Sequence, residues 1–184
     1  MPTRRAFVQA GGALIASLAL PLWWRELAPS TKVVQIAMRS DQLGAKVWFD
    51  PMGVFVEPHT TISWVVKENV HTTTAYHPKN GNHSLRIPEG AEPWDSGFLV
   101  NPGDRFEVTL TVPGVYDFFC APHELVGMVG RIIVGHATGP GAEAFDYFSD
   151  KPVAKDWLSV PDAARTVFPS VAQILNEHVV HRTP

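Results

Sequence analysis

"FFCAPHELVGMVGRIIVG" spans Phe118 to Gly135 and holds the chain's one cysteine, Cys120, with His123 and Met128 close behind it. A thiol, an imidazole and a thioether on one short stretch are three soft or borderline metal donors. The residues before them, "GVYDFF" (114–119), are aromatic and β-branched, and those after them, "GRIIVG" (130–135), are apolar. Both flanks read as strands, so the donors sit on a turn held between two rigid elements. Copper held this way takes two imidazoles and a thiolate in a trigonal plane, with a distant thioether on the axis. One imidazole is therefore missing and must come from elsewhere. The plainer reading is a buried free thiol with accidental neighbours. Met128, a lone thiol and the strand frame falling together count against it.

The chain has 8 histidines. His136, His178 and His181 lie beyond the strand-rich region, and His59 sits in a turn entering a strand. His77 and His83 fall inside a stretch without periodicity, 71–94, broken by Pro78, Gly81, Pro88, Gly90 and Pro93. That stretch reads as a long loop with solvated histidines, or as a labile second metal site. His71 directly follows "TTISWVVKENV" (60–70), at the ordered end of the segment, and is the expected fourth donor.

Outward from this loop, "KVVQIAM", "AKVWFDP", "GVFVEP", "TTISWVV" and "DRFEVTLTV" are short β-branched runs separated by Pro and Gly turns. With the two flanks above they make seven expected strands. Alternation at Ile62, Trp64 and Val66, and at Phe106, Val108 and Leu110, predicts antiparallel strands with one buried face, in a sandwich or barrel. After Gly135, "HATGPGAEA" reads as a linker. A helical tail follows, with Val167, Phe168, Val171, Ile174, Leu175 and Val179 on one apolar stripe split by Pro169. The stripe is expected to dock on the sandwich and to leave the His123 loop free.

With 184 residues there is room for one domain and appendages. A net charge of −3 gives no basic footprint for nucleic acid. At the N-terminus, "TRRAFV" places Arg4 and Arg5 before an uncharged run, Ala6 to Trp24. This has the pattern of a twin-arginine export signal. Residues 6–24 are near the lower limit for crossing a bilayer, and Trp23 and Trp24 suit its interface. Cleavage and retention as a membrane anchor both stay open. The expected organisation is a signal or anchor over 1–28, a β-domain over 32–135, and a linker with a helical tail over 136–184.

These features together resemble the cupredoxins, the blue type-1 copper proteins of the plastocyanin and pseudoazurin kind. "FDPMGVFVEPHTTISWVVKENVHT" is similar to the family's first-ligand region, and the spacing C-x2-H-x4-M to its ligand loop. The family usually has glycine where His59 stands. The resemblance implies an all-β, Greek-key β-sandwich, one type-1 copper ion, and His71, Cys120, His123 and Met128 as its ligands. It also implies one-electron transfer, which the export signal would place in the periplasm or another extracytoplasmic space. The redox partners would be proteins such as a cytochrome or an oxidase. An apolar patch of Ala121, Pro122, Leu125 and Val126 around His123 would serve as the electron port. Second-sphere donors to the sulfur are expected from the Thr72 backbone and an amide near Pro122.

Two other functions compete. A multicopper oxidase needs histidines on both sides of the cysteine, and here Cys120 is flanked by Phe119 and Ala121, so no enzyme is expected. A periplasmic copper-binding or delivery protein would use His77 and His83 as a labile site.

Overall fold

The computed structural model describes residues 32–182. The signal or anchor expected over 1–28 lies outside them. Among the described residues no helix is long and apolar enough to cross a membrane.

All seven expected strands form. They are β1 (Val33–Ser40), β2 (Val47–Asp50), β3 (Gly53–Val56), β4 (Thr60–Val66), β6 (Arg105–Leu110), β7 (Gly114–Phe119) and β8 (Val129–Val134). Two short strands join them, β5 (Thr74–Ala75) inside the expected loop and β9 (Val179–Val180) in the tail. One sheet runs β2-β1-β4-β6 and the other β5-β7-β8-β3-β9. The pairing is not antiparallel throughout: β1 lies parallel to β4, and β3 parallel to β8. The reason is topological. The chain leaves the first sheet after β2, places β3 in the second, and returns for β4, so β1 and β4 become neighbours without a hairpin between them.

The two inner faces meet over an aromatic core. Trp64 from β4 packs edge-on against Phe118 from β7 at 5.4 Å, and lies 5.3 Å from Trp94. Phe49 meets Phe118 at 4.7 Å. Burying each such side chain contributes about 1.5–3 kcal/mol. At the turn into β4, His59 adopts φ 68°, a left-handed conformation that glycine takes more easily. Its amide donates to the Leu110 carbonyl at 2.7 Å, which anchors the turn to β6.

Strands β7 and β8 are buried on both faces. Tyr116 and Phe118 point into the sandwich, while Val115 and Phe119 point outward and are covered by the tail. Helices α1 (Asp162–Val167) and α2 (Val171–Glu177) are split at Pro169 as expected. Ile174 fills the space left by the missing side chain of Gly53, where a Cβ would come within 2.9 Å of it. Two stripe residues do not follow the expectation: Leu175 and Val179 are exposed. His178 takes φ 61° and turns the chain from α2 into β9, which shifts the buried position to Val180.

The stretch expected as a linker is fixed instead. Pro140 and Gly141 are buried, and Arg86 donates to the carbonyls of Gly141, Glu143 and Ala144. Arg86 and Arg131 both reach Asp117, on the outward face of β7, at 2.8 and 2.7 Å. Arg131 also donates to the Pro169 carbonyl. This buried triad joins the sheet to the tail at two points.

Candidate metal centre

Cys120 directly follows β7, and its amide donates to the Met128 carbonyl at 3.0 Å. That bond closes the loop carrying three of the four expected donors. Between them Ala121–Val126 form a 3-10 turn with Pro122 at its start. The His123 amide returns to the Cys120 carbonyl at 2.9 Å, and the Met128 amide to the His123 carbonyl at 3.1 Å. Gly127 stops the turn at φ 83°, in the left-handed region. His71 enters from the other side. It exchanges two backbone hydrogen bonds with Leu99, at 3.1 and 2.9 Å, and these fix where its ring stands.

The donors converge. The Sγ of Cys120 lies 3.7 Å from His71 Nδ1 and 3.3 Å from His123 Nδ1. The three ligand atoms fall within 4.8 Å of one another, and no other such His, Cys, Asp and Glu group exists among the described residues. Met128 is fully buried in the same core cluster as Cys120. Among the expected second-sphere donors, the Thr72 amide points at Sγ from 3.3 Å. The Thr72 hydroxyl accepts from the Ala121 amide at 2.7 Å, tying the His71 segment to the donor loop.

The electrostatics prepare a soft cation site. Burial, then the neighbouring His123, lowers the His71 pKa to about 4, so the ring is neutral and its lone pair available near pH 7. Burial lowers His123 as well. Burial pushes the Cys120 thiol up to about 11, against the opposing pull of the Thr72 amide. A metal must therefore displace a proton from sulfur as it binds. Two neutral imidazoles, one thiol and a buried thioether nearby fit copper and do not fit a hard, oxygen-seeking cation.

His77 and His83 are not brought into this cluster. His83 is not the solvated histidine expected. It stacks on Phe119 with centroids 4.4 Å apart and is largely buried. Its Nδ1 lies 2.6 Å from the Asn80 carbonyl and its Nε2 3.1 Å from Glu124 Oε2. Two acceptors suit a doubly protonated ring. Burial opposes that charge, but the Glu124 and Asn80 oxygens outweigh it and raise the His83 pKa. Glu124 was not singled out in the sequence. It is buried beside His123, and its Oε1 accepts from the Tyr76 hydroxyl at 2.7 Å. A carboxylate inside an otherwise apolar donor loop was the available signal.

Around the half-buried His123, Ala121, Pro122, Leu125 and Val126 are all exposed, Leu125 by 76% and Val126 by 61%. They are not packed beneath the loop.

The chain is similar in sequence and fold to known copper proteins. A sequence model of the family described as "Copper binding proteins, plastocyanin/azurin family" matches residues 35–135. A plastocyanin from Prochlorothrix hollandica is 27% identical over 139 residues, covering 72% of this chain and 90% of that protein. A chloroplastic plastocyanin from Hordeum vulgare is 57% identical over 37 residues, which is 20% of this chain and 24% of the barley protein. This chain therefore matches about a quarter of that relative's length. Among solved structures, a Sinorhizobium pseudoazurin superposes with a TM-score of 0.51 at 25% identity, covering 74% of this chain and 91% of that one. A pseudoazurin from Methylobacterium extorquens gives 0.52 at 24% identity, covering 74% and 94%.

Proposed function

Because the chain belongs to the plastocyanin/azurin family of copper-binding proteins, we propose that it is an exported cupredoxin that carries single electrons between redox proteins. The observation that carries the proposal is the convergence of His71 Nδ1, Cys120 Sγ and His123 Nδ1 at the end of a buried strand. In this reading His71, Cys120 and His123 hold the ion, with Met128 as the weak fourth ligand. Bound copper supplies a one-electron couple, and the protein supplies everything else. The hydrogen-bonded backbone of the loop and the His71–Leu99 bridge would hold the donors in one frame as a bound ion gained or lost an electron. The Thr72 amide withdraws charge from the sulfur. The exposed ring of Ala121, Pro122, Leu125 and Val126 lets a partner approach His123 closely without charged groups between. No bond is made or broken, so the role is that of a carrier and not of an enzyme.

Copper-loaded protein is expected to show an intense blue band that bleaches and returns in a one-electron redox titration. Cys120→Ser is expected to lose that band, because sulfur-to-copper charge transfer needs the thiolate. A serine variant that keeps it would overturn the ligand assignment. Export is proposed to follow the twin-arginine route, with donor and acceptor both outside the cytoplasm. Replacing Arg4 and Arg5 by lysine is then expected to leave the protein inside the cell. Normal export of the double variant would refute that route, and N-terminal sequencing distinguishes a cleaved signal from an anchor.

A further inference from the structure

We propose that the tail segment from Leu158 to Phe168 positions the donor loop between Cys120 and Met128, with Val167 and Glu124 as the positioning residues. What the loop would hold rests on the copper-carrier reading, but the positioning itself does not.

Two separate contacts support it. The first is direct. Helix α1 packs on the donor loop at Gly127, the residue between His123 and Met128 that takes the left-handed conformation. A Cβ at Gly127 would lie 2.9 Å from Val167 Cγ2 and 3.2 Å from the Ala163 carbonyl oxygen. The loop therefore turns toward Met128 with the helix against it. The second contact runs through the other flank of the loop. Leu158 threads beside the 82–84 turn, donating to the Asn82 carbonyl at 2.8 Å and accepting from the Ser84 amide at 3.0 Å. That turn carries His83, which meets Glu124 Oε2, while Tyr76 holds Oε1. Glu124 is thus gripped by two residues from outside its own loop, one of them on a turn that the tail holds.

The donor loop needs such support. Its outer residues Leu125 and Val126 are exposed, and its backbone bonds run within the loop itself, so its placement on the sheet depends on what packs behind it. Segments with few buried contacts open locally at low cost. Groups that orient metal ligands from behind govern how tightly and in what geometry a metal is held. By this inference the tail has two jobs: β9 extends the second sheet and α2 covers it, while 158–168 sets the spacing of the donors.

The test uses the full chain, first without metal and then with copper alone. Three variants are compared: Val167→Ala, which removes the contact at Gly127; Tyr76→Phe, which releases one oxygen of Glu124 without changing charge; and Ile174→Ala, which loosens α2 where it packs on Gly53. In the metal-free proteins, the first two are expected to speed amide hydrogen exchange at Gly127, Met128 and Cys120 more than at Ile132 or Val134. Ile174→Ala is expected to lower the melting temperature without that selectivity. With copper, Val167→Ala and Tyr76→Phe are expected to bind about tenfold more weakly. Exchange that rises equally along β8, or as much at the loop in Ile174→Ala, would reduce the tail to a purely stabilising element and overturn the proposal. Unchanged exchange in Tyr76→Phe would do so too, even if Val167→Ala failed to fold. Failure of the unaltered protein to take up copper would sink the carrier reading alone, since the exchange measurement needs no metal.

Discussion

The backbone amide of Thr72 donates to the sulfur of Cys120 at 3.3 Å, across 48 residues of sequence. In the other direction the Thr72 hydroxyl accepts from Ala121, the residue next to that cysteine. One threonine thus fixes both the electron density on the sulfur and the start of the donor loop.

Thr72→Val keeps the shape and the backbone donor but strands the Ala121 amide. Losing one hydrogen bond at such a part-buried site costs about 0.5–1.5 kcal/mol. Urea unfolding of the metal-free protein is expected to show a loss of that size. The blue band of the loaded variant is expected to shift without disappearing. An unchanged midpoint would mean that water replaces the hydroxyl.

His71 makes the metal-free protein acid-sensitive in a defined window. Its folded pKa, about 4, lies below the ordinary histidine value of 6.5. The unfolded chain therefore binds the proton more tightly, and stability falls as pH drops from about 6.5 to about 4. Above that window the contribution is fully present. The gap corresponds to about 3 kcal/mol. Chemical denaturation at a series of pH values is expected to show the decline, and His71→Gln is expected to remove most of it. Parallel pH profiles for the two proteins would contradict this assignment.

Asp117 sits between two arginines that grip the tail. Asp117→Ala leaves Arg86 and Arg131 buried without their carboxylate, at a cost of about 3–5 kcal/mol. The thermal midpoint is expected to drop sharply and residues 140–169 to become sensitive to protease. A variant that melts like the unaltered chain would show that the carbonyls of Gly141, Glu143, Ala144 and Pro169 satisfy the arginines by themselves.

Copper that binds the folded state alone stabilises it by about 4 kcal/mol at a thousandfold excess over Kd. Melting curves with and without copper are expected to separate, and a chelator to restore the lower transition. Coincident curves at saturating copper would argue against binding in the folded core.

The strands and the donor loop were legible because their signals are local: alternating apolar residues, Pro and Gly at the turns, and donors a few residues apart. The long-range features were not. Nothing in "VVQIAMRS" or "TTISWVV" says that these strands run parallel, since that follows from where β3 is placed. The covering of the second sheet does leave a trace in the sequence. Asp117 and Arg131 lie within otherwise apolar strands and pair directly opposite each other across β7 and β8. Opposite charges in strands buried on both faces imply a polar partner above the sheet. The tail's stripe departs from helical phase at its end because the chain turns at His178 from α2 into β9, which a continuous helical spacing through Leu175 and Val179 does not show. His83 looked solvated because the 71–94 stretch lacks periodicity, yet it is ordered by hydrogen bonds to Glu124, Asn80 and the segment around Leu158.

Seen mechanically, the His71–Cys120 approach is a fastener. The two residues are 49 positions apart, and they tie the segment after β4 to the β7–β8 hairpin. A chain with one cysteine cannot close such a span with a disulfide. An ion held between them would act as a removable cross-link, restricting the unfolded chain in the way that closing a long loop does. Withdrawing the metal would then loosen one end of the sandwich first, and resistance to pulling or to protease would become a readout of metal supply.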